Sequence, residues 1–261
     1  MITYYAFATD PGVKYLGHAK LALELGPTGG RLYFVRGGRR APERGWLLGE
    51  LAVLKAEGGA FAVEVMVGGR FRGRKTEWLN QTAEMQGWLC SVAQEAGIEP
   101  QRIPAGDGPK PKPRKATKRR PAPPPEPRVM GWRRDLCGDS MASDEQIAIV
   151  VEGIVGGIRE IRKTDREHMY DAIGLACVVL ARRLGIKIKL PRAVQTALWM
   201  QQQKEREQRS REVTRRAAAK ALGGTLALPA FVAPKRSKTR VQRTKATAGA
   251  RAVRGKSAQS M

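Results

Sequence analysis

The stretch ITYYAFATDPG, residues 2–12, decides how this chain is read. Its first eight residues are mostly β-branched or aromatic, the side chains that favour strands. It then runs into a single aspartate followed at once by Pro-Gly. A carboxylate at the end of an apolar strand either caps the turn through its own side chain or meets a partner charge, because burying it unpaired is costly. Asp10 is therefore a turn residue or a member of a site.

Working outward, residues 13–25 read as a second strand, GPTGG at 26–30 as a hairpin turn and 31–37 as a third strand. Residues 43–57 have helical spacing, with Trp46, Leu47, Leu51 and Leu54 on one face and Gly58-Gly59 as the stop. Residues 60–69 (AFAVEVMVGG) form an apolar strand with one acid, Glu64, inside it. Residues 76–98 predict a long helix ended by Gly97, and 128–132 a further strand. Helices are expected over 143–161, introduced by Ser143-Asp144-Glu145, over 165–185, and over a highly charged stretch after Pro191. Three strands joined by short turns, then strand–helix alternation, predict an α/β fold with a mixed sheet and helices on its faces.

Charge divides the chain more sharply than hydrophobicity does. The net charge is +24, but residues 1–100 and 129–190 carry only +2 and +1, whereas 101–128 and 191–261 carry +7 and +14. The core is thus assigned to residues 1–104 and 128–190. A Pro- and Lys/Arg-rich insert occupies 105–127, a charged helix 191–222, and a basic tail, expected to be disordered, 223–261. Two separate basic segments without Trp/Leu-rich anchors suit a nucleic acid better than a membrane. Cys90, Cys137 and Cys177 have no C-x-x-C spacing, which argues against a zinc ribbon and a disulfide framework. No apolar run reaches the length of a bilayer span and the N-terminus reads straight into a strand, so a cytoplasmic protein is expected.

Asp171 and His168 complete the set of unusual polar residues. They lie three apart on the predicted helix HMYDAIGLACVV and so project from one side of it. Taken singly, each candidate has an ordinary explanation: Asp10 caps a turn, Glu64 pairs with an arginine, His168 is a surface histidine. Together, three carboxylates and an imidazole converging on one pocket would repel one another unless a cation joined them. Oxygen-rich donors without thiolates favour Mg²⁺ or Mn²⁺, and a pair of such ions is a standard device for phosphodiester hydrolysis.

In order along the chain, ATDPGVKYLG (8–17), FAVEVMV (61–67), NQTAEMQGWLCSVAQEAGI (80–98), WRRDLCG (132–138) and HMYDAIGLACVV (168–179) resemble RuvC-type Holliday junction resolvases of the RNase H-like superfamily. The resemblance spans roughly residues 1–185 without the insert. It implies an RNase H-like five-stranded sheet with strand two antiparallel, flanked by helices. It also implies a homodimer that cuts branched DNA symmetrically to leave 5′-phosphate and 3′-hydroxyl ends. Asp10, Glu64, His168 and Asp171 would be the catalytic and metal-ligating residues for Mg²⁺ or Mn²⁺, with His168 a ligand or a proton acceptor. The family places an aromatic wedge about one turn after the strand glutamate; here that place holds Val67, and the nearest aromatic is Phe71. The loop around it supplies DNA contacts in this reading, through Arg70, Phe71, Arg72, Arg74 and Lys75, together with Arg133 and Arg134.

Three other readings compete. An actin-like kinase or ATPase would need a second glycine-rich phosphate loop, for which GIVGGIRE at 153–160 is the only candidate. A non-catalytic nucleic-acid-binding protein of the same fold has no need of all four site residues. A nuclease of the same type acting on RNA would share them.

Overall fold

The computed structural model of the chain describes residues 1–12, 14–27, 29–66, 76–107, 130–156, 158 and 166–221. Five strands form one sheet: β1 (Ile2–Pro11), β2 (Leu16–Gly26), β3 (Gly29–Arg40), β4 (Ala60–Val65) and β5 (Gln101–Pro104), in the order β3-β2-β1-β4-β5. The first three pair antiparallel as two successive hairpins, and β1–β4 and β4–β5 pair parallel. The mixed five-stranded sheet with strand two antiparallel is the one expected.

Side-chain alternation along β1 sorts the sheet into two faces. Phe7 points to one face and meets Phe61 of β4 in a stacked pair with ring centroids 5.7 Å apart. Here α1 (Arg44–Ala56) contributes Leu47, Leu51 and Leu54, and α2 (Thr76–Glu95) contributes Leu89 and Val92. Ala6 and Ala8 point to the other face, where Ala19 and Ala62 join them, all fully buried. Four small residues in a patch let a helix lie close, and α5 (Arg166–Arg183) fills the place with Ala172, Ile173, Leu175, Ala176 and Val179. The short α3 (Trp132–Cys137) and α4 (Asp144–Ile154) pack beside it. Gly174 is needed for this layer: a Cβ there would lie 2.7 Å from the Trp132 ring.

Three expectations change. The fifth strand is Gln101–Pro104, before the insert, not 128–132; Gly131 is extended but Trp132 opens a helix. The helix beginning at Asp144, capped by the Ser143 hydroxyl, stops at Ile154 instead of 161, because the chain turns extended and Gly156 pairs with the edge of β3. The final helix α6 (Arg192–Ala221) forms as expected, yet its first turns belong to the core: Val194 and Leu198 are buried, and the compact unit runs from Met1 to Arg209. Glu205 accepts hydrogen bonds from Ser143 and Gln146, fastening α6 to the start of α4. The second unit begins at Ser210 and includes the end of α6, where Arg216 pairs with Glu212. Among the described residues, no helix is long and apolar enough to cross a membrane.

Candidate active site

Asp10 lies at the end of β1, opposite Gly17 of β2. The next strand in the sheet, β4, runs parallel to β1 with Thr9 level with Val63, so Glu64 arrives beside Asp10. His168 and Asp171 come from the first turns of α5, which crosses β1 and β2. Gly17 makes this approach feasible: a Cβ at that position would lie 2.3 Å from the His168 carbonyl oxygen. All four residues line one cleft of about 530 Å³, shared with Arg133 of α3 and Asp144 of α4.

Each acidic group has its own neighbour. The Asp10 carboxylate is 3.0 Å from His168 Nδ1, so it orients the imidazole. Trp132 donates its indole N–H to Glu64 at 3.0 Å. Arg133 reaches Asp171 at 3.1 Å and Asp144 at 3.5 Å, and donates to the Ala142 carbonyl at 2.8 Å. Arg134, one residue on, points away and is held by the buried Asp107 at 2.6 Å. The structure therefore brings Arg133, and not Arg134, to the cleft. Arg70, Phe71, Arg72, Arg74 and Lys75 lie outside the described residues.

Crowding of like charges shows in the acidities. Burial, then the charges of Asp10 and Asp171, raise Glu64 well above the usual carboxylate range, against the opposing pull of Arg133 and the Trp132 hydrogen bond. Burial likewise lifts Asp171 to about 7, although Arg133 works against it and Asp10 adds to it. The hydrogen bond to Asp10 raises His168, making it a better proton acceptor than a free imidazole. In metal-free protein this has a thermodynamic consequence. Between the ordinary carboxyl value of 3.8 and about 7, folded Asp171 keeps a proton that the unfolded chain releases, so stability falls as pH rises through that window and is level above it. Asp171→Asn should remove the loss. In chelator, the variant is expected to be more stable than wild type near neutral pH, the difference vanishing near the ordinary carboxyl pKa. Melting curves across pH check this; an equal or lower melting temperature at neutral pH would mean that Asp171 is not strained.

The donor set has the chemistry that hard divalent cations select: carboxylate oxygens, one imidazole and no thiolate. Among the described residues, no three His, Cys, Asp or Glu side chains form a ready coordination shell as they stand. Asp171 is turned onto Arg133 and Asp10 onto His168. A cation entering the cleft would compete with Arg133 for the Asp171 carboxylate.

Sequence reasoning missed four contributors. Trp132 was equally well a packing residue, and nothing local ties it to a glutamate 68 positions away. Asp144 read only as a helix start, a role it keeps while also lining the cleft. Thr82 and Gln86 of α2 line the cleft as buried polar residues on an otherwise apolar helix face. The rival kinase reading loses its loop: Gly153 lies inside α4 against Val194, and Gly156 pairs with β3.

No protein-family model and no curated protein matches the sequence. Among solved structures, the chain is similar to a Thermus thermophilus RuvC structure, at 21% identity and TM-score 0.47, over 72% of this chain and 99% of that one. It is also similar to T. thermophilus RuvC in complex with Holliday junction substrate, at 20% identity and TM-score 0.45, with the same coverage.

Proposed function

We propose that this chain is a Mg²⁺- or Mn²⁺-dependent endonuclease that cuts branched DNA, four-way junctions foremost, leaving 5′-phosphate and 3′-hydroxyl ends. The observation that carries the reading is the meeting of Asp10, Glu64, His168 and Asp171, drawn from two strands and a helix, in one cleft. The order of motifs along the sequence and the two basic segments support it. Asp10, Glu64 and Asp171 would hold the ions, with His168 beside them. When bound, the ions would supply an activated water and offset charge on the leaving oxygen.

The chain's own groups do the rest. Asp10 fixes the His168 ring and strengthens it as a base, so His168 can take a proton from the attacking water. Trp132 holds the Glu64 carboxylate in position. Arg133 carries a guanidinium at the cleft wall suited to a non-bridging phosphate oxygen. A homodimer, one cleft for each of the two strands to be cut, fits symmetric cutting.

Cleavage is expected in Mg²⁺ or Mn²⁺ and absent in Ca²⁺ or chelator. Calorimetric titration with Mn²⁺ should show binding to wild type and its loss in Asp10→Asn. Activity that survives chelation contradicts the metal-dependent reading. Truncation after Ala221 removes nine basic and no acidic side chains. It should weaken DNA binding and flatten its dependence on salt, since fewer counterions are released. An unchanged slope of log affinity against log salt would show that the tail does not contact DNA.

A further inference from the structure

Tyr15 and Arg39 form a stack beside the cleft that the proposed reaction leaves unused. Tyr15 stands just before β2, an exposed residue at 42% of its full accessibility, and the Arg39 guanidinium carbon lies 4.1 Å from its ring centroid. Strand register places them together: Arg39 of β3 is level with Gly17 of β2, next to the chain entering that strand. Other arginines at this end of β3 are occupied. Arg36 pairs with Glu50 at 2.5 Å, and Arg40 pairs with Glu43 at 2.7 Å and covers the Trp46 ring. Arg39 is exposed and has no carboxylate partner among the described residues.

The stack adjoins the site on two sides. Gly12, in the cleft wall, abuts the Tyr15 carbonyl, and Gly17, opposite Arg39, abuts the backbone of His168. Arg39 is near enough for its charge to act on the His168 ring. An exposed aromatic ring with an unneutralised guanidinium on it offers a π-face and a cation together, the combination that holds single-stranded bases without regard to sequence. A base in intact duplex is already stacked on its neighbours and gains nothing there; a base left unpaired at a branch does.

We infer that Tyr15 and Arg39 form a stacking subsite for an unpaired nucleobase of the strand entering the cleft, with Arg39 also reaching the adjoining phosphate. The inference rests on the nuclease reading above and supplies an aromatic contact that does not depend on Phe71. The test uses the full chain in Ca²⁺, with a four-way junction carrying 2-aminopurine at the crossover and a linear duplex as control. Wild type should bind the junction and quench the 2-aminopurine emission. Tyr15→Leu should lower junction affinity about tenfold, abolish the quenching and leave duplex affinity unchanged, and Tyr15→Phe should restore both. Arg39→Gln, a change at an exposed residue, should weaken junction binding and reduce the salt slope by about one. Junction affinity and quenching unaltered in both Tyr15→Leu and Arg39→Gln would overturn the subsite alone. Wild type that binds no branched DNA would overturn the nuclease reading and the subsite with it.

Discussion

Asp10→Asn should lower junction cleavage by about 10³-fold while leaving junction binding at least as tight as in wild type. The size follows from the carboxylate's two duties. It would contribute several kcal/mol of the charge stabilisation that bound cations provide, and each 1.36 kcal/mol is a factor of ten in rate. It also orients His168 through the 3.0 Å contact to Nδ1. The amide fills the same volume and can still meet the ring, so the end of β1 should keep its register with Gly17. Removing one negative charge from a DNA-facing cleft does not weaken attraction for phosphate. Gel-shift titrations in Ca²⁺ beside cleavage assays in Mg²⁺ separate the two effects. Loss of binding along with cleavage would make Asp10 a structural residue, and its contact with His168 a packing detail.

Trp132→Ala should destabilise the protein by about 3–5 kcal/mol, the range for truncating a buried aromatic. The ring is fully buried and lies against Gly174, whose missing side chain makes room for it. A second variant separates packing from function. Trp132→Phe keeps most of the volume but deletes the N–H that Glu64 accepts from at 3.0 Å. That hydrogen bond, with the charge of Arg133, favours the charged form of Glu64. Its loss should move the acidic limb of the pH–rate profile to higher pH while the melting temperature falls only modestly. A Phe variant with wild-type pH dependence would leave Trp132 a packing residue and nothing more.

Much of this was readable beforehand, for physical reasons that differ by element. The first two hairpins and α1 have strong periodicity and unambiguous glycine punctuation; Gly58, Gly97 and Gly185 all take positive φ at the ends assigned to them. The four residues that meet in the cleft could be singled out because each is an acid or histidine on an otherwise apolar element. The failures share another cause. Gln101–Pro104 is four residues long, contains a proline and shows no alternation, so only its pairing with β4 makes it a strand. Residues 128–132 look like a strand because Val and Trp favour one, yet Gly131 is the extended residue before a helix that begins at Trp132. Arg133 and Arg134 are equivalent in sequence; one step along a helix turns side chains by about 100°, sending one to the cleft and the other to Asp107.

The most direct test incubates the full chain with a synthetic four-way junction, a flap and a linear duplex, side by side, in Mg²⁺, and maps the ends of any products. The account predicts paired incisions in the junction with 5′-phosphate and 3′-hydroxyl termini and little cutting of the linear duplex. A folded, monodisperse preparation that breaks no phosphodiester bond in any of the three would contradict it.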